Sequence, residues 1–313
     1  MDKPKATPKD FFLWAGAMIA LYSGVFAFVS LIFDYINYTF PDTALAQYYG
    51  DPYSGSISYE MASLIVLAPV LLVLMRVIRR AIQADPSRAE VWVRRWALFL
   101  TLFVAGATIV VDLIVLLTTF LQGGDLTTAF LLKVLVVLLV AAAGFMHFMA
   151  DVWGYWARYP AYARYVNYAV GVLVVLTIAA GFLIIGSPQQ QRALRIDQQR
   201  VSDLQNIQWQ VVTYWQQKTA LPTKLEDLRD PISGVDIPVD PVTKEAYTYK
   251  RQSPLDFTLC ATFSTKGGDL YGRTISKPMA VGGVSEVWDH KAGETCFDRS
   301  IDPQRYPPYP KGV

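Results

Sequence analysis

The sequence predicts an α-helical membrane bundle of five transmembrane helices, followed by a small α+β domain outside the cytoplasm. Two observations lead to this fold class. Residues 1–185 consist mostly of long apolar runs, whereas residues 186–313 are rich in Pro, Asp, Gln and Lys. In addition, loops that carry basic residues alternate with loops that carry none. The overall apolar fraction of 53% hides this division, because it averages two unlike halves.

Five apolar runs are long enough to cross a bilayer, whose hydrocarbon core of roughly 30 Å needs about 20 helical residues. Helices this apolar on all sides have no polar face to meet water, which argues against a soluble helical core. The first run is too long for a signal peptide, and Thr7, Pro8 and Asp10 form a helix-start motif before it. The predicted spans are Phe11–Phe33, Ser58–Ile78, Trp96–Leu121, Thr127–Ala150 and Val166–Ile185.

The basic residues predict the orientation, because cytoplasmic loops carry an excess of Lys and Arg. No Lys or Arg occurs at 35–55 or at 122–126. We therefore expect a multi-pass protein of the bacterial plasma membrane, with a cytoplasmic N-terminus and, after five spans, the C-terminal domain outside. The basic residues of the N-terminal segment and of the second and fourth loops are Lys3, Lys5, Lys9, Arg79, Arg80, Arg88, Arg94, Arg95, Arg158 and Arg164.

Both cysteines of the chain, Cys260 and Cys296, lie in the C-terminal part. Without a CxxC spacing or a nearby pair of histidines they do not form a zinc motif. Thiols outside the cytoplasm oxidise, so we expect a disulfide, which stabilises by about 3–4 kcal/mol on the chain-entropy model. Two buried free thiols are the alternative.

Charged residues inside a span are costly and therefore candidates for function. A tight turn joins the third run, which contains Asp112, to the fourth, which contains Lys133. Counting residues from that turn puts the two residues at similar depth, roughly 15 and 13 Å below it. We expect an ion pair, which either fixes the register of the hairpin or forms part of an ion or proton pathway. His147, about 21 Å further along the fourth helix, is a possible member of that pathway or a helix-packing residue.

No catalytic motif appears in the sequence, whether a phosphate-binding loop, a zinc-protease motif or a nucleophile elbow. His290 has no obvious catalytic partners. A net charge of +2 and the absence of a basic stripe argue against binding of nucleic acid. We therefore expect a protein that is not an enzyme.

The C-terminal domain begins with a predicted helix from Ser187 and Pro188 to about Lys218. Its apolar face follows a spacing of three and four residues: Val201, Leu204, Ile207, Val211 and Trp215. Strands are predicted at Ala246–Lys250, Phe257–Phe263 and Val284–Trp288. The tail from Asp302 is rich in Pro and Tyr and is expected to be irregular.

Residues 1–155 resemble an uncharacterised bacterial family of four-helix membrane domains, a domain of unknown function. The resemblance rests on the aromatic-rich helix start at 10–14, the arginine-rich second loop and the hairpin with Asp112 and Lys133. It implies a bacterial plasma membrane and no particular activity.

Residues 190–265 resemble the globular domain of type IV pilins and of the major pseudopilin of type II secretion. The resemblance implies a long helix on a short antiparallel sheet, and partners among pilus, secretion or other envelope proteins. It also implies that the fifth span belongs to the outside domain, as a pilin's membrane helix belongs to its head. The segments that carry it are 203–208, Leu221-Pro222, 225–228, 237–241, 246–249 and 257–261.

The chain also departs from the pilin pattern. Residues 161–168 offer no leader cleavage site, so we expect a chain that is neither cut nor polymerised. Pseudopilins of this type bind calcium in a late loop, and Asp298 and Asp302 lie late in this chain, but without a recognisable ligand spacing. Calcium therefore stays unassigned, and we expect no other cofactor or metal.

These observations favour a membrane-anchored binding or scaffold protein that displays an uncleaved, pilin-like domain to envelope partners. The alternative is a small transporter or ion pathway that uses Asp112, Lys133 and His147. The expected organisation is a four-helix bundle at 1–155, an interfacial aromatic loop with the fifth span at 156–186, and the outside domain at 187–313.

Overall fold

The computed structural model describes residues 7–40, 56–85, 87–88, 91–230, 236–267 and 288–309. The chain divides into two compact units after Gly186. The helices of the first unit are α1 (Pro8–Thr39), α2 (Ser56–Ala84), α3 (Trp92–Leu121), α4 (Thr128–Val152), α5 (Tyr155–Arg158) and α6 (Pro160–Ile185). The second unit contains α7 (Pro188–Lys218), β1 (Thr248–Arg251), β2 (Asp256–Phe263) and β3 (Gly293–Ser300).

Among the described residues, five helical stretches are long and apolar enough to cross a membrane, and they lie at the five predicted positions. Within the chain, no more than 28% of the most apolar window of any of them is buried. Large side chains such as Phe103, Leu121 and Leu183 are exposed by 74%, 73% and 86%. The first unit therefore presents an apolar outer surface as well as an apolar interior.

Local sequence explains where the long helices begin. Thr7 caps α1 by accepting from the Asp10 backbone N–H, and the Asp10 carboxylate accepts from the Thr7 N–H in return. This reciprocal capping box and Pro8 in the first turn are the predicted start of the first helix. Thr127 caps α4 and Ser187 caps α7 in the same way, through their side-chain oxygens.

Helix α6 packs against α1 and α2 within the first unit. The Tyr35 hydroxyl on α1 donates to the Thr177 carbonyl on α6 at 2.7 Å. Gly181 allows the close approach, because a Cβ there would overlap the Met61 sulfur and lie 2.7 Å from the Tyr35 hydroxyl. The expectation that this helix belongs to the C-terminal domain is therefore wrong, since it is part of the helical bundle.

Helices α3 and α4 form an antiparallel hairpin. Two ion pairs lie at the end of the helical unit opposite the turn of this hairpin. Arg94 at the start of α3 contacts Asp151 near the end of α4 at 3.3 Å. Arg88, between α2 and α3, contacts Asp10 at the start of α1 at 3.1 Å. One pair thereby joins the start of α1 to the segment after α2, and the other joins the start of α3 to the end of α4.

The second unit is a three-stranded antiparallel sheet packed against α7, with β2 in the centre. Leu204, Ile207 and Val211 of α7 are fully buried against Phe257 and Leu259 of β2. The predicted apolar stripe of α7 thus faces the sheet, and the expected arrangement of one long helix on a small antiparallel sheet is confirmed.

The third strand differs from the prediction. It lies at Gly293–Ser300, whereas Trp288 is outside any strand and residues 284–287 are outside the described part of the chain. In β3 only Phe297 is buried, so the strand lacks the apolar alternation on which the prediction relied. Its pairing with β2, from Asp256↔Ser300 to Phe263↔Gly293, is long and in register.

We predict that Gly181→Ala loosens α6 from the bundle, because the added Cβ overlaps Met61 and Tyr35. Overpacking of this kind costs about 1–3 kcal/mol. Gly171→Ala on the same helix is the matched control, since nothing lies within 4 Å of its Cβ position. Thermal unfolding of the full chain in detergent should show a lower midpoint for Gly181→Ala alone, and equal midpoints would contradict this packing.

Candidate functional site

The candidate site in the helical unit starts from Asp112, the charged residue predicted for the third span. Asp112 lies on α3 and is only 9% exposed. Its Oδ2 is buried and has no hydrogen-bond partner among the described residues. A carboxylate oxygen buried without a partner is costly, which makes Asp112 a group of interest in this unit.

Lys133 does not form the expected ion pair with Asp112, since no such pair occurs among the described residues. The connection between the helices explains the difference. Residues 124–127 are not helical, so α4 begins only at Thr128. Lys133 then lies roughly 8 Å from the start of its helix and Asp112 roughly 14 Å from the end of its own, a difference of about one turn.

Lys133 instead lies beside the end of α1. Its ammonium is 5.7 Å from the centroid of the Phe33 ring, and its charge acts on the neighbouring carboxylate of Asp34. The hydroxyl of Ser56, at the start of α2, hydrogen-bonds Asp34. One turn further along α2, Glu60 interacts electrostatically with Asp34.

We call Asp34, Ser56, Glu60 and Lys133 the Asp34 cluster. Its members come from α1, α2 and α4. Asp34 lies within about two turns of the C-terminal end of α1, and the others lie within about two turns of the N-terminal ends of α2 and α4. Asp34 Oδ2 and Glu60 Oε2 are buried and have no hydrogen-bond partner among the described residues. The cluster therefore combines one cation with two carboxylates whose hydrogen-bonding capacity is only partly used.

Sequence reasoning missed both acidic members of this cluster, although a signal was present. Glu60 lies inside the predicted second span, and Asp34 directly follows the first. A search for every carboxylate at the edges of the apolar runs would have found them. Their proximity to Lys133, however, depends on how the helices pack, which the run lengths do not reveal.

His147 lies near the opposite end of α4, far from the Asp34 cluster. Its ring stands 5.0 Å from the ring of Trp156, whose indole N–H donates to the His147 carbonyl at 2.9 Å. This contact folds the short helix α5 back onto the end of α4. The structure thus does not bring together Asp112, Lys133 and His147, the residues predicted for one pathway.

In the C-terminal unit a buried ionic network, centred on Arg200, connects three segments. The Arg200 guanidinium donates to Asp240 at 2.7 and 3.3 Å and to Asp197 at 2.8 Å. Asp197 also accepts the backbone N–H groups of Ser264 and Thr265, just after β2. The network thereby joins α7, the turn at 240–243 and the end of the central strand.

The network changes the acidity of its members. Burial raises the pKa of Asp240, but hydrogen bonds from Arg200 and from the backbone of Thr243 and Val242 outweigh burial and lower it to about 2. Tyr247 donates to Asp203 at 2.7 Å, and burial together with this bond raises the pKa of the Tyr247 hydroxyl. Each of these groups already has a hydrogen-bond partner within the unit, so the arrangement is suited to holding the fold.

The sequence contains a signal for this network that the search for apolar residues did not detect. Asp197 and Arg200 precede Leu204 at the same spacing of three and four residues that the apolar stripe follows. Both are buried, at 2% and 5% exposure. Charged residues on the buried face of a helix are the signal that a search for apolar periodicity overlooks.

The predicted disulfide between Cys260 and Cys296 is present, and it joins directly opposed residues of β2 and β3. Glu294 lies close to both sulfur atoms, but the sulfurs are bonded to each other. Asp298 accepts from the Thr258 hydroxyl at 2.6 Å, and Asp302 accepts from the Gln304 N–H at 2.8 Å. The two aspartates considered for calcium therefore have separate local partners, and calcium stays unassigned.

A family model described as a domain of unknown function, DUF5671, matches residues 10–150. The matched part covers α1 to α4, less than half of the 313 residues, and fits the expected similarity to an uncharacterised family. No curated protein and no solved structure matches the chain. The pilin resemblance of residues 190–265 therefore has no support beyond its own motif residues.

We predict that Arg200→Ala strongly destabilises the C-terminal unit, because it leaves two buried carboxylates without their cation. Breaking a buried ion pair in this way costs about 3–5 kcal/mol. Arg229→Ala is the control, since its pair with Asp236 at 3.5 Å is exposed and such pairs contribute about 0–1 kcal/mol. Hydrogen exchange of the α7 amides in the full chain measures both, and similar exchange rates in the two variants would contradict a stabilising network.

We also predict that the contribution of Asp240 depends on pH. Its folded-state pKa of about 2 is below the ordinary value of 3.8. Its stabilisation is therefore complete above pH 4 and disappears as the pH falls towards 2. Pulse proteolysis with pepsin in urea, between pH 2 and 5, should show the gap between wild type and Asp240→Asn narrowing at low pH. A constant gap would contradict the lowered pKa.

Proposed function

We propose that this chain is a multi-pass protein of the bacterial plasma membrane whose helical unit anchors a binding domain on the outer side. The observation that carries the proposal is the change of character at Gly186. An apolar helix ends there, and a compact unit with its own core and a disulfide begins at Ser187. A chain of this kind serves to hold a folded domain at a membrane surface.

The exposed apolar surface supports the membrane location. Helices that are apolar on all sides are stable only in a large protein core or in a bilayer. In water, exposed apolar patches of this extent lead to association or aggregation. Within a bilayer each α-helix satisfies its own backbone hydrogen bonds, so five separate helices can cross without further partners.

The arginines support the orientation. The segment that joins α2 to α3 and the segment around α5 carry them, whereas the described turn at 122–127 has none. The contacts of Arg88 with Asp10 and of Arg94 with Asp151 place these arginine-bearing segments at the end where α1 begins. An excess of basic residues marks the cytoplasmic side, so α6 leads outward and the C-terminal unit lies outside.

The surface of the C-terminal unit supports a binding role. Among its described residues, four large apolar side chains are exposed, and Trp209 on α7 is the largest, at 64% exposure. Exposed tryptophan is enriched at protein interfaces. Since the core of the unit is formed by the other face of α7, Trp209 is free to contact a partner, for which we propose a pilus, secretion or other envelope protein.

A site-specific photo-crosslinker at Trp209 in the full chain tests this function in cells. We expect an adduct with one envelope protein, because the side chain is exposed and outside the core. Val172 on α6, at 58% exposure, is the matched control and should give lipid adducts only. If position 209 reacts with nothing in membranes that contain the chain, the binding role is wrong.

A second candidate function, a pathway for protons or cations, is favoured by the partnerless carboxylate oxygens of the apolar helices. Asp34, Glu60 and Asp112 each have such an oxygen. Intramembrane carboxylates are typical of proton and ion pathways. In this alternative the Asp34 cluster and Asp112 replace the originally expected set, since Lys133 contacts α1 and His147 lies at the far end of α4.

Reconstituted liposomes test the pathway. We expect Asp34→Asn and Asp112→Asn each to lower proton or sodium flux at least tenfold while the thermal midpoint changes little. Asp125→Asn in the exposed turn is the control and should leave flux unchanged. Equal flux in liposomes with and without the wild-type chain excludes the pathway. Lower midpoints with no change in flux assign the carboxylates a structural role.

A further inference from the structure

Six arginines at one end of the helical unit are exposed and have no ion-pair partner among the described residues. They come from the last turns of α2, the first turn of α3, α5 and the first turns of α6. In sequence order they are Arg76, Arg79, Arg80, Arg95, Arg158 and Arg164.

The acidic residues described at this end are already occupied. Asp10 and Asp85 both contact Arg88, and Asp151 contacts Arg94. No described carboxylate is left to neutralise the six exposed guanidinium groups. Among the described residues, this end of the unit therefore carries more positive than negative charge, which favours anions as ligands.

Part of this positive charge lies on the segment at 153–165, which we call the α5 segment and which is held against the bundle. Trp156 anchors it by its hydrogen bond to the His147 carbonyl and its ring contact with His147. A left-handed turn at Gly154, with a φ of 69°, allows the chain to fold back from the end of α4. One side of the segment is thus fixed to the bundle.

The other side of the α5 segment presents a row of tyrosines. The ring of Tyr155 is 4.9 Å from that of Tyr159, which in turn is 6.1 Å from that of Tyr162. All three are exposed, and so are Arg158 and Arg164 of the same segment. The segment therefore exposes three phenol rings in contact and two guanidinium groups within ten residues of the chain.

We propose that the α5 segment binds the head groups of anionic phospholipids, with Arg158 and Arg164 donating to phosphodiester oxygens and the tyrosine rings lying among the upper acyl chains. This proposal rests on the membrane location argued above. Tyrosine and arginine both combine an apolar body with a polar tip, which suits the boundary between hydrocarbon and water. Guanidinium groups form charge-assisted hydrogen bonds with phosphate oxygens.

The surroundings of the segment favour a lipid over a soluble acidic partner. The apolar surfaces of α4 and α6 begin directly beside it, with Val152 exposed by 38% and Val170 by 55%. An anionic lipid matches both the apolar and the basic part of this surface. A zwitterionic lipid brings its own cation, and so compensates the arginines less well.

The test uses the purified full chain in detergent, titrated with phosphatidylglycerol or with phosphatidylcholine and followed by native mass spectrometry. We expect the wild type to bind phosphatidylglycerol more tightly, and the double variant Arg158→Gln with Arg164→Gln to bind it about 30-fold more weakly. Lys250→Gln with Arg251→Gln, an equal charge change in the C-terminal unit, should leave binding unchanged. The double variant Arg158→Lys with Arg164→Lys keeps both positive charges and should therefore keep most of the wild-type affinity for phosphatidylglycerol.

Several results would overturn the proposal: equal affinity of the wild type for both lipids, an unchanged affinity in the Gln double variant, or displacement of the lipid by an acidic peptide at lower concentration. If the Gln variant does not fold, the wild-type comparison of the two lipids still decides. Alkaline extraction of membranes separates this proposal from the proposed function. A chain that stays in the membrane without a preference for phosphatidylglycerol disproves only the lipid site.

Discussion

The exposed apolar surface of five long helices is the constraint on which the rest of the structure depends. Each helix closes its own backbone hydrogen bonds, so its apolar outer face needs no polar partner and suits an apolar solvent. Polar groups are then costly except where another helix or the boundary with water receives them. The charged side chains follow this rule, since the ion pairs of Arg88 and Arg94 lie at helix ends and Asp112 is turned away from the surface.

The C-terminal unit differs from the helical unit in having one small apolar core of its own. Its single long helix buries a stripe against the central strand, and the Arg200 network extends that buried face with charged groups that are fully hydrogen-bonded. Such a network fixes one arrangement of helix, turn and strand, because any other would leave charges buried and unpaired. The disulfide adds a covalent link between the central strand and β3.

Much of the fold was predictable from the sequence, because run length and periodicity report directly on helices. The five apolar helices, the cap at Thr7 and the stripe of α7 follow from such local signals. Features that depend on packing were not predictable in this way. The position of Lys133 relative to Asp112 depends on the four non-helical residues before α4, and the Asp34 cluster depends on which helices are neighbours. The polar strand β3 has no periodic signal, since its place is set by its pairing with β2.

Labelling of the two cysteines is the most direct test of the proposed topology. Cys260 and Cys296 are the two cysteines of the chain, and Cys296 is exposed, so a membrane-impermeant maleimide reports on the C-terminal unit without engineered sites. After reduction, the proposed topology predicts labelling in intact spheroplasts and protection in sealed inverted vesicles. Labelling in inverted vesicles and protection in spheroplasts would contradict an outside domain, and recovery of the chain in the soluble fraction would contradict the membrane anchor itself.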